Sequence, residues 1–360
     1  MHRRHFLYQF GLTTFAASIP WRIAFGQNTA AKDLGPLLTD ILKQHQLPGI
    51  AAAVMQGGML ADAGVAGDRQ IGKEEPITLD NRFLIGSCTK RMTGLAVCHV
   101  IDAGQLAFET TLADALPSVK MRDEYRGVSV AQLLNFTGGI PTYTQIGPRI
   151  TPIIFELKGS AAERRAQFLQ HLLQEEPVVK PGSERRYSNA SYVLAAYIAA
   201  QRTKRDIETL LREEALQPLG LAKAGIGHPR KEHPNEPALH MKGPNGYQPE
   251  PADRPAPAEE ILLGAGGVHC TAGELARFAA YELNAAQGND PLLKPAMAKR
   301  WQELTGTART EDRPIFGGTQ WLTASYVLWP SKNRVAAVVV NGGDATEACK
   351  AVFQAVNKDA

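Results

Sequence analysis

Ser87 and Lys90, three residues apart, are residue types that can perform one chemical step together. On a helix, residues three apart lie on one face, so the hydroxyl and the ammonium would be neighbours. A serine hydroxyl is a weak nucleophile until a base takes its proton, and lysine can be that base when burial lowers its pKa. The pair therefore suits nucleophilic catalysis, although Ser-x-x-Lys should also occur about once by chance in a chain of this length.

The surroundings of this pair favour function over coincidence. Residues 87–103 are apolar almost all round below the first turn, which predicts a helix through the interior. A lysine in the first turn of a buried helix is unfavourable unless it has a partner. The start of a helix also offers a positive dipole end and free N–H groups that can receive an oxyanion.

Tyr187 and Asn189 lie in a predicted turn before another helix. A tyrosine beside a lysine can relay a proton, because the cation stabilises phenolate, and the asparagine can bind a substrate amide or position the lysine. Taken alone, however, the two residues favour a plain helix cap, a position where asparagine is common.

These motifs, in order along the chain, resemble the penicillin-recognising serine hydrolases, in the branch of class C β-lactamases, D-alanyl-D-alanine peptidases and lactamase-fold esterases. Further family landmarks follow in order between about residues 33 and 355: Leu47-Pro48-Gly49, Phe83-Leu84-Ile85-Gly86, Leu133-Leu134-Asn135-Phe136-Thr137-Gly138-Gly139, Pro181-Gly182, Pro218-Leu219-Gly220-Leu221 and Gly264-Ala265-Gly266-Gly267. The resemblance implies that Ser87 is acylated, that Lys90 activates it and that Tyr187 is the general base that passes a proton to the leaving group. It also implies that Asn189 lines the substrate cleft.

The third motif of that family is a basic residue, any residue and glycine, on a strand that faces the serine. Its best match is Ile315-Phe316-Gly317, followed by Gly318 and Thr319. The resemblance implies that the N–H of Gly318 completes an oxyanion hole with that of Ser87, and that Gly317 and Thr319 lie beside it. Ile315 replaces the basic residue. Its loss should weaken binding of anionic penicillins and D-Ala-D-Ala ends by on the order of a few kcal/mol, and affect neutral esters or amides less.

Two further departures from the family pattern concern the cleft. The segment between Leu304 and Gly317 is too short for the additional strand usual there, so we expect a missing strand or an open cleft. Asn135-Phe136-Thr137-Gly138 stands where the family often carries a histidine and a serine.

No metal or cofactor is expected. His228, His233 and His240 match no common metal-site spacing and are predicted to be solvated loop residues. His269 is a candidate catalytic histidine, but a buried, hydrogen-bonded position is favoured for it. The chain lacks the Gly-x-Ser-x-Gly, P-loop and His-Glu-x-x-His motifs, which argues against an α/β-hydrolase elbow, nucleotide use and zinc proteolysis. Cys88, Cys98, Cys270 and Cys349 include no Cys-x-x-Cys pair, and buried free thiols are favoured.

The N-terminus accounts for the charge of the chain. The formal net charge is +3, and residues 1–26 contain three arginines and no acidic residue, so the remainder is neutral and shows no footprint for nucleic acid. Arg3-Arg4-His5-Phe6-Leu7 and the modestly apolar stretch after it resemble a twin-arginine export signal, which predicts a periplasmic mature protein. The alternative is a basic amphipathic helix of the mature domain. No later segment reaches about 18 uninterrupted apolar residues, so no membrane span is expected.

The order of elements predicts an α/β (α+β) fold. Residues 34–46 have helical periodicity, 49–54 and 59–66 form a predicted hairpin, and 321–329 and 334–341 are strand-like before a helix over 346–356. The resemblance implies an antiparallel sheet, built from both chain ends and flanked by helices, with an inserted helical subdomain. We therefore expect one catalytic domain over 27–360, its α/β part over about 33–86 and 290–360 and its helical part over about 87–285. The eight prolines in 229–257 predict a long irregular surface excursion.

Composition and motifs leave two principal functional interpretations. With 44% hydrophobic and 21% charged residues, the chain is globular in composition, which excludes a disordered tail protein, a collagen-like fibre and a coiled coil. The first interpretation is an exported serine hydrolase that forms an acyl-enzyme with an ester or amide, such as a small ester or a cell-wall peptide. The second is a catalytically reduced relative that binds a cell-wall fragment or a partner protein. A true β-lactamase is disfavoured by Ile315.

Overall fold

A six-stranded sheet built from both ends of the chain is the framework of the protein. The computed structural model describes residues 31–144, 151–251, 260–306 and 312–358, so the expected export signal over 1–26 lies outside the described residues. The strands of this sheet are β1 (Lys32–Asp33), β2 (Gly49–Gln56), β3 (Met59–Gly67), β9 (Ile315–Thr319), β10 (Leu322–Trp329) and β11 (Arg334–Val340). Their order is β1-β3-β2-β11-β10-β9, and only β1 and β3 pair in parallel. The predicted fold class is confirmed.

Both faces of this sheet are covered, which explains why its central strands are apolar throughout rather than alternating. On β2, Ala53 and Met55 face one core, whereas Ala52 and Val54 face the other. Helices α1 (Gly35–His45) and α13 (Thr346–Lys358) cover the second face, and α2 (Thr89–Asp102) and α11 (Ala272–Ala286) cover the first. Each central strand therefore gains apolar burial from both faces.

The helical part of the chain lies between β3 and β9. Its remaining helices are α3 (Leu112–Ala115), α4 (Asp123–Arg126), α5 (Val130–Leu134), α6 (Thr151–Glu156), α7 (Ala161–Leu172), α8 (Asn189–Thr203), α9 (Ile207–Leu211), α10 (Leu263–Gly266) and α12 (Pro295–Thr305). Helix α2 is buried from Thr89 to Cys98, as its apolar sequence predicts. Within the described ranges, every helix is too short or too polar to span a bilayer.

A second sheet fixes the entry into α2. Strands β4 (Phe83–Leu84), β5 (Gly225–Ile226) and β8 (Val268–Cys270) pair in the order β4-β8-β5, all antiparallel. The N–H of Ile85 adds a bond of 3.0 Å to the carbonyl of Val268. Because β4 is held in this way, the residues that follow it begin α2 at a fixed place.

The prediction of an irregular surface excursion over 229–257 is wrong in the described part of that segment. Strands β6 (His240–Gly243) and β7 (Gly246–Pro249) form a hairpin, in which Tyr247 is buried and bonds the carbonyl of Gly343. The prolines do not prevent pairing, because Pro244 lies in the turn and Pro249 ends its strand, positions where a missing N–H is tolerated.

Two of the three histidines predicted to be solvated are instead held by neighbouring groups. His240 is fully buried, with its Nδ1 at 2.8 Å from the carbonyl of Asn341 and its Nε2 accepting from the N–H of Ile71. His228 pairs with Glu250 at 2.9 Å, and only His233 is exposed as predicted. All four cysteines are buried free thiols, which confirms that prediction.

A buried ion pair ties α2 to α11 and to the large sheet. The Glu282 carboxylate is 0% exposed, accepts from Arg91 Nε at 2.8 Å and accepts from the Tyr326 hydroxyl at 2.5 Å. Arg91 also donates to the carbonyl of Thr305 at the end of α12. The pair thus joins three helices and a strand behind the start of α2.

We expect Arg91→Met to lower the free energy of unfolding by about 3–5 kcal/mol, because it leaves the buried Glu282 carboxylate without its cation. Arg91→Met combined with Glu282→Met removes both charges and should recover at least about half of that loss. Urea denaturation of the wild type, both single variants and the double variant measures the difference. A double variant as unstable as the sum of the two singles would contradict this account.

Candidate active site

The turn Gly86–Cys88 between β4 and α2 lies directly against the backbone of strand β9. Gly86 has a φ of +50°, and a Cβ there would lie 2.8 Å from the nitrogen of Gly318. A Cβ on Gly317 would lie 2.0 Å from the carbonyl oxygen of Ile85 and 2.7 Å from the nitrogen of Ser87. Glycine is required at 86 and 317 because the two backbones approach more closely than any side chain allows.

The three residues expected to be catalytic meet at the start of α2. Lys90 Nζ lies 3.0 Å from Ser87 Oγ and 2.8 Å from the carbonyl oxygen of Ala265. Ser87 Oγ lies 2.7 Å from the hydroxyl of Tyr187, whose ring centroid is 4.9 Å from Lys90 Nζ. A hydroxyl therefore lies between an amine and a phenol, each within hydrogen-bond reach of it.

Burial sets the protonation of this cluster. Lys90 is only 4% exposed, and desolvation lowers its pKa from 10.5 to about 7. Desolvation also raises the pKa of Tyr187, against the opposing effects of the Ser87 hydrogen bond and the charge of Arg185. Tyr187 as a whole is 40% exposed, so the desolvation concerns chiefly the end of the ring against Ser87. Near neutral pH, Lys90 exchanges its proton while the phenol remains protonated.

The carbonyl of Ala265 is a member of the cluster that sequence reasoning missed. It belongs to the short helix α10, which Thr93 holds by donating from Oγ1 to the carbonyl of Gly264 at 2.8 Å. A Cβ on Gly264 would lie 2.8 Å from the Cβ of Ala196 on α8, so α10 packs against α8 without space for a side chain. The glycine run 264–267 is the only sequence signal for this contact, since a backbone oxygen has no residue type of its own.

Asn189 is the first residue of α8, two residues after Tyr187, but it does not cap the helix. Ser188 is the cap: its hydroxyl accepts from the N–H of Ser191 at 3.0 Å and donates to the carbonyl of Pro141. The amide nitrogen of Asn189 donates to the carbonyl of Tyr143 at 2.7 Å. Among the described residues, this bond holds the Asn189 side chain, and no hydrogen bond joins that side chain to Lys90.

Strand β9 presents an apolar residue on the face that bears Gly317. Side chains alternate along a strand, so Ile315 lies on the same face as Gly317, while Phe316 packs on the opposite side of the sheet. Gly318 and Thr319 are exposed, and the Thr319 hydroxyl accepts from the N–H of Trp321 at 3.0 Å. In the described sheet β9 is the edge strand, in agreement with the short segment that precedes it.

The remaining candidate, His269, is buried as predicted, with Nδ1 at 2.8 Å from the carbonyl of Gly227. Burial lowers its pKa. Among the described residues, no three histidine, cysteine or acidic side chains are grouped closely enough to hold a metal ion.

Comparison with known proteins agrees with this geometry. The sequence pattern of the Beta-lactamase family matches residues 34–349. Penicillin-binding protein 4 of Amycolatopsis lactamdurans is 26% identical over 84% of this chain and 83% of its own length, and a beta-lactamase of Yersinia enterocolitica is 26% identical over 81% and 69%.

Solved structures show the same fold at lower identity. A class C beta-lactamase superimposes with a TM-score of 0.68 at 18% identity, over 88% of this chain and 92% of its own. A D-alanine carboxypeptidase AmpC from Burkholderia cenocepacia has a TM-score of 0.66 at 18% identity, over 89% of this chain and 96% of its own. With a pattern match over most of its length, this chain belongs to the beta-lactamase family of penicillin-recognising serine hydrolases.

Proposed function

We propose that the protein hydrolyses an ester or amide through an acyl-enzyme on Ser87. The observation that carries this proposal is the placement of a buried lysine, with a pKa of about 7, 3.0 Å from an accessible serine hydroxyl. A lysine that served only to stabilise the fold would be found where it can reach water. A lysine that must accept a proton from serine needs this enclosed position.

The lowered pKa of Lys90 and the raised pKa of Tyr187 favour Lys90 as the first proton acceptor. Neutral Lys90 takes the proton of Ser87 while Oγ attacks the substrate carbonyl carbon, and the oxyanion lies between the N–H groups of Ser87 and Gly318. Tyr187 then gives its hydroxyl proton to the leaving alkoxide or amine as the carbonyl re-forms, and the Lys90 ammonium restores that proton. Water hydrolyses the acyl-serine by the same proton transfers in reverse, with acid and alcohol or amine as products.

The apolar β9 wall supports a substrate that is neutral where it contacts this strand. Ile315 offers no cation on the strand that faces Ser87, so β9 suits the neutral part of a small ester or of a cell-wall peptide. The export motif in residues 1–26 supports a periplasmic location for the domain over 27–360. The second candidate is a binding protein without turnover, which the same Ile315 motivates and the Ser87–Lys90–Tyr187 contacts oppose.

A fluorophosphonate distinguishes these two functions, because it loses fluoride only to an activated serine. We expect intact-mass analysis to show one adduct on the wild type, mapped to Ser87. The adduct should be absent in Ser87→Ala and form at least about 100-fold more slowly in Lys90→Ala, since general-base assistance contributes about 10²–10⁴-fold. An unlabelled wild type with a native circular dichroism spectrum would reject the hydrolase and favour the binding protein.

The pH dependence tests which group accepts the proton. Since the pKa of Lys90 is lowered to about 7, the amine is protonated and inactive below that pH and neutral above it. The rate of Ser87 acylation should therefore rise about tenfold per pH unit below pH 7 and level off above it. Stopped-flow acylation between pH 5 and 9 measures the profile, with Lys90→Arg as the permanently charged control. A rate that falls or stays flat across this range would exclude Lys90 as the base.

The close approach of Gly317 to Ser87 predicts a sharp difference between adjacent glycines. In Gly317→Ala the new Cβ would lie 2.0 Å from the Ile85 oxygen, so β9 must move and carry the Gly318 N–H away from the oxyanion. We expect kcat to fall about 10²–10³-fold, as for loss of one oxyanion donor. Gly318→Ala keeps its N–H, and the nearest atom to its Cβ is the Leu322 oxygen at 3.2 Å, so its kcat should fall less than about tenfold. Equal losses of kcat in the two variants would contradict a role for the position of β9 in the mechanism.

A further inference from the structure

Arg185 lies one aromatic ring away from the catalytic tyrosine. Its guanidinium carbon is 4.9 Å from the centroid of the Phe136 ring, and that ring is 4.9 Å from the ring of Tyr187. Residues 185 and 187 are two apart in a segment without helical or turn structure, so their side chains can lie on the same side of the chain. Phe136 therefore contacts both the cation and the phenol.

The Phe136 ring is held in this position from several directions. Its backbone has a left-handed φ of +65°, and its ring also packs on Tyr192 with a centroid distance of 5.1 Å. The carbonyl of Phe136 accepts from the N–H of Arg186 at 2.9 Å, which fixes the loop carrying Arg185 against the loop carrying Phe136. A left-handed conformation is unfavourable for a bulky residue and persists only where surrounding contacts impose it.

The guanidinium of Arg185 is available to bind another molecule. Across the described residues, no carboxylate lies within ion-pair distance of its guanidinium, whereas the adjacent Arg186 pairs with Glu184 at 3.1 Å. Arg185 is also exposed, so a solute can reach it. Its positive charge acts on the hydroxyl of Tyr187, which bonds Ser87, and opposes the rise in the pKa of that phenol.

Strand β9, whose Gly317 lies against the backbone of Ser87, carries Ile315 and no cation. We propose that Arg185 binds a carboxylate of the substrate, so that this chain prefers anionic esters or amides whose carboxylate faces the loop before α8. The inference rests on the proposed function and adds to it the substrate class. A guanidinium stacked on an aromatic ring keeps its edge N–H groups free, and a carboxylate can accept two of them in parallel.

Two 4-nitrophenyl esters of equal acyl length test this proposal on the full chain: the pentanoate, which is neutral, and the hemiglutarate, which carries one carboxylate. The ratio of kcat/KM values for hemiglutarate over pentanoate is the readout. We expect Arg185→Gln to lower this ratio roughly tenfold or more, because a hydrogen bond to a charged group contributes about 1.5–3 kcal/mol and 1.4 kcal/mol is tenfold.

Arg186→Gln is the matched control, since it removes the same charge from the adjacent exposed residue. It should change the ratio less than about twofold, as expected when a surface ion pair is removed. Raising the salt concentration to 0.5 M should lower the wild-type ratio, because the Debye length shortens to roughly 4–5 Å.

Three outcomes would overturn the proposal. An equal loss for both esters in Arg185→Gln would mean that Arg185 acts on Tyr187 and not on substrate. An equal fall of the ratio in Arg186→Gln would mean that the general positive field of the loop is responsible. Failure of the wild type to hydrolyse either ester would overturn this inference together with the proposed function. Ser87→Ala separates the two: turnover that survives in this variant rejects the acyl-enzyme while leaving the Arg185 ratio measurable.

Discussion

The burial of the Lys90 amine is the constraint on which the rest of the site depends. An ammonium in a protein interior is unfavourable unless polar atoms surround it, and here two such atoms are the hydroxyl of Ser87 and the carbonyl of Ala265. The packing of α10 against α8 fixes that carbonyl. Desolvation then lowers the pKa of the amine to about 7, so that it can lose its proton near physiological pH. The buried position of Lys90 thus accounts both for the fixed arrangement of the cluster and for an amine that can accept a proton.

The sheet makes a second contribution, because strand β9 reaches Ser87 only through pairing that spans the chain. β2 comes from the N-terminal part and pairs with β11, which carries β10 and then β9 outward. The turn Gly86–Cys88 follows β4 and is fixed by the pairing of β4 with β8. Glycines at 86 and 317 let these two backbones touch. The helical part is inserted between the strands and supplies Tyr187 and Ala265, so the site exists only when both parts are folded.

Sequence reasoning identified what depends on residue type and local periodicity. The Ser87–Lys90 pair, the buried helix α2 and the hairpin of β2 and β3 are properties of short segments, and the structure has all three. It did not find the Ala265 carbonyl, because a backbone atom carries no identity. It was wrong about 229–257, where prolines suggested an irregular course. The pairing of His240–Gly243 with Gly246–Pro249 depends on a buried Tyr247 and on distant glycines at the end of β11.

The departures from the family pattern can be related to one another in the folded protein. Ile315 leaves β9 without a cation, and Phe136 belongs to the departing segment Asn135–Gly138 and packs against Tyr187. Phe136 contacts Arg185 and Tyr187 at the same time, so a ring within this departing segment is also the surface against which the Arg185 cation packs. The proposed acylation involves Ser87, Lys90 and Tyr187, and the hydrogen bonds that join these three residues do not include Ile315. A cation that binds substrate can therefore stand at a different place in the fold while the proton-transfer geometry stays the same. Substrate class can then change without a change in the chemistry.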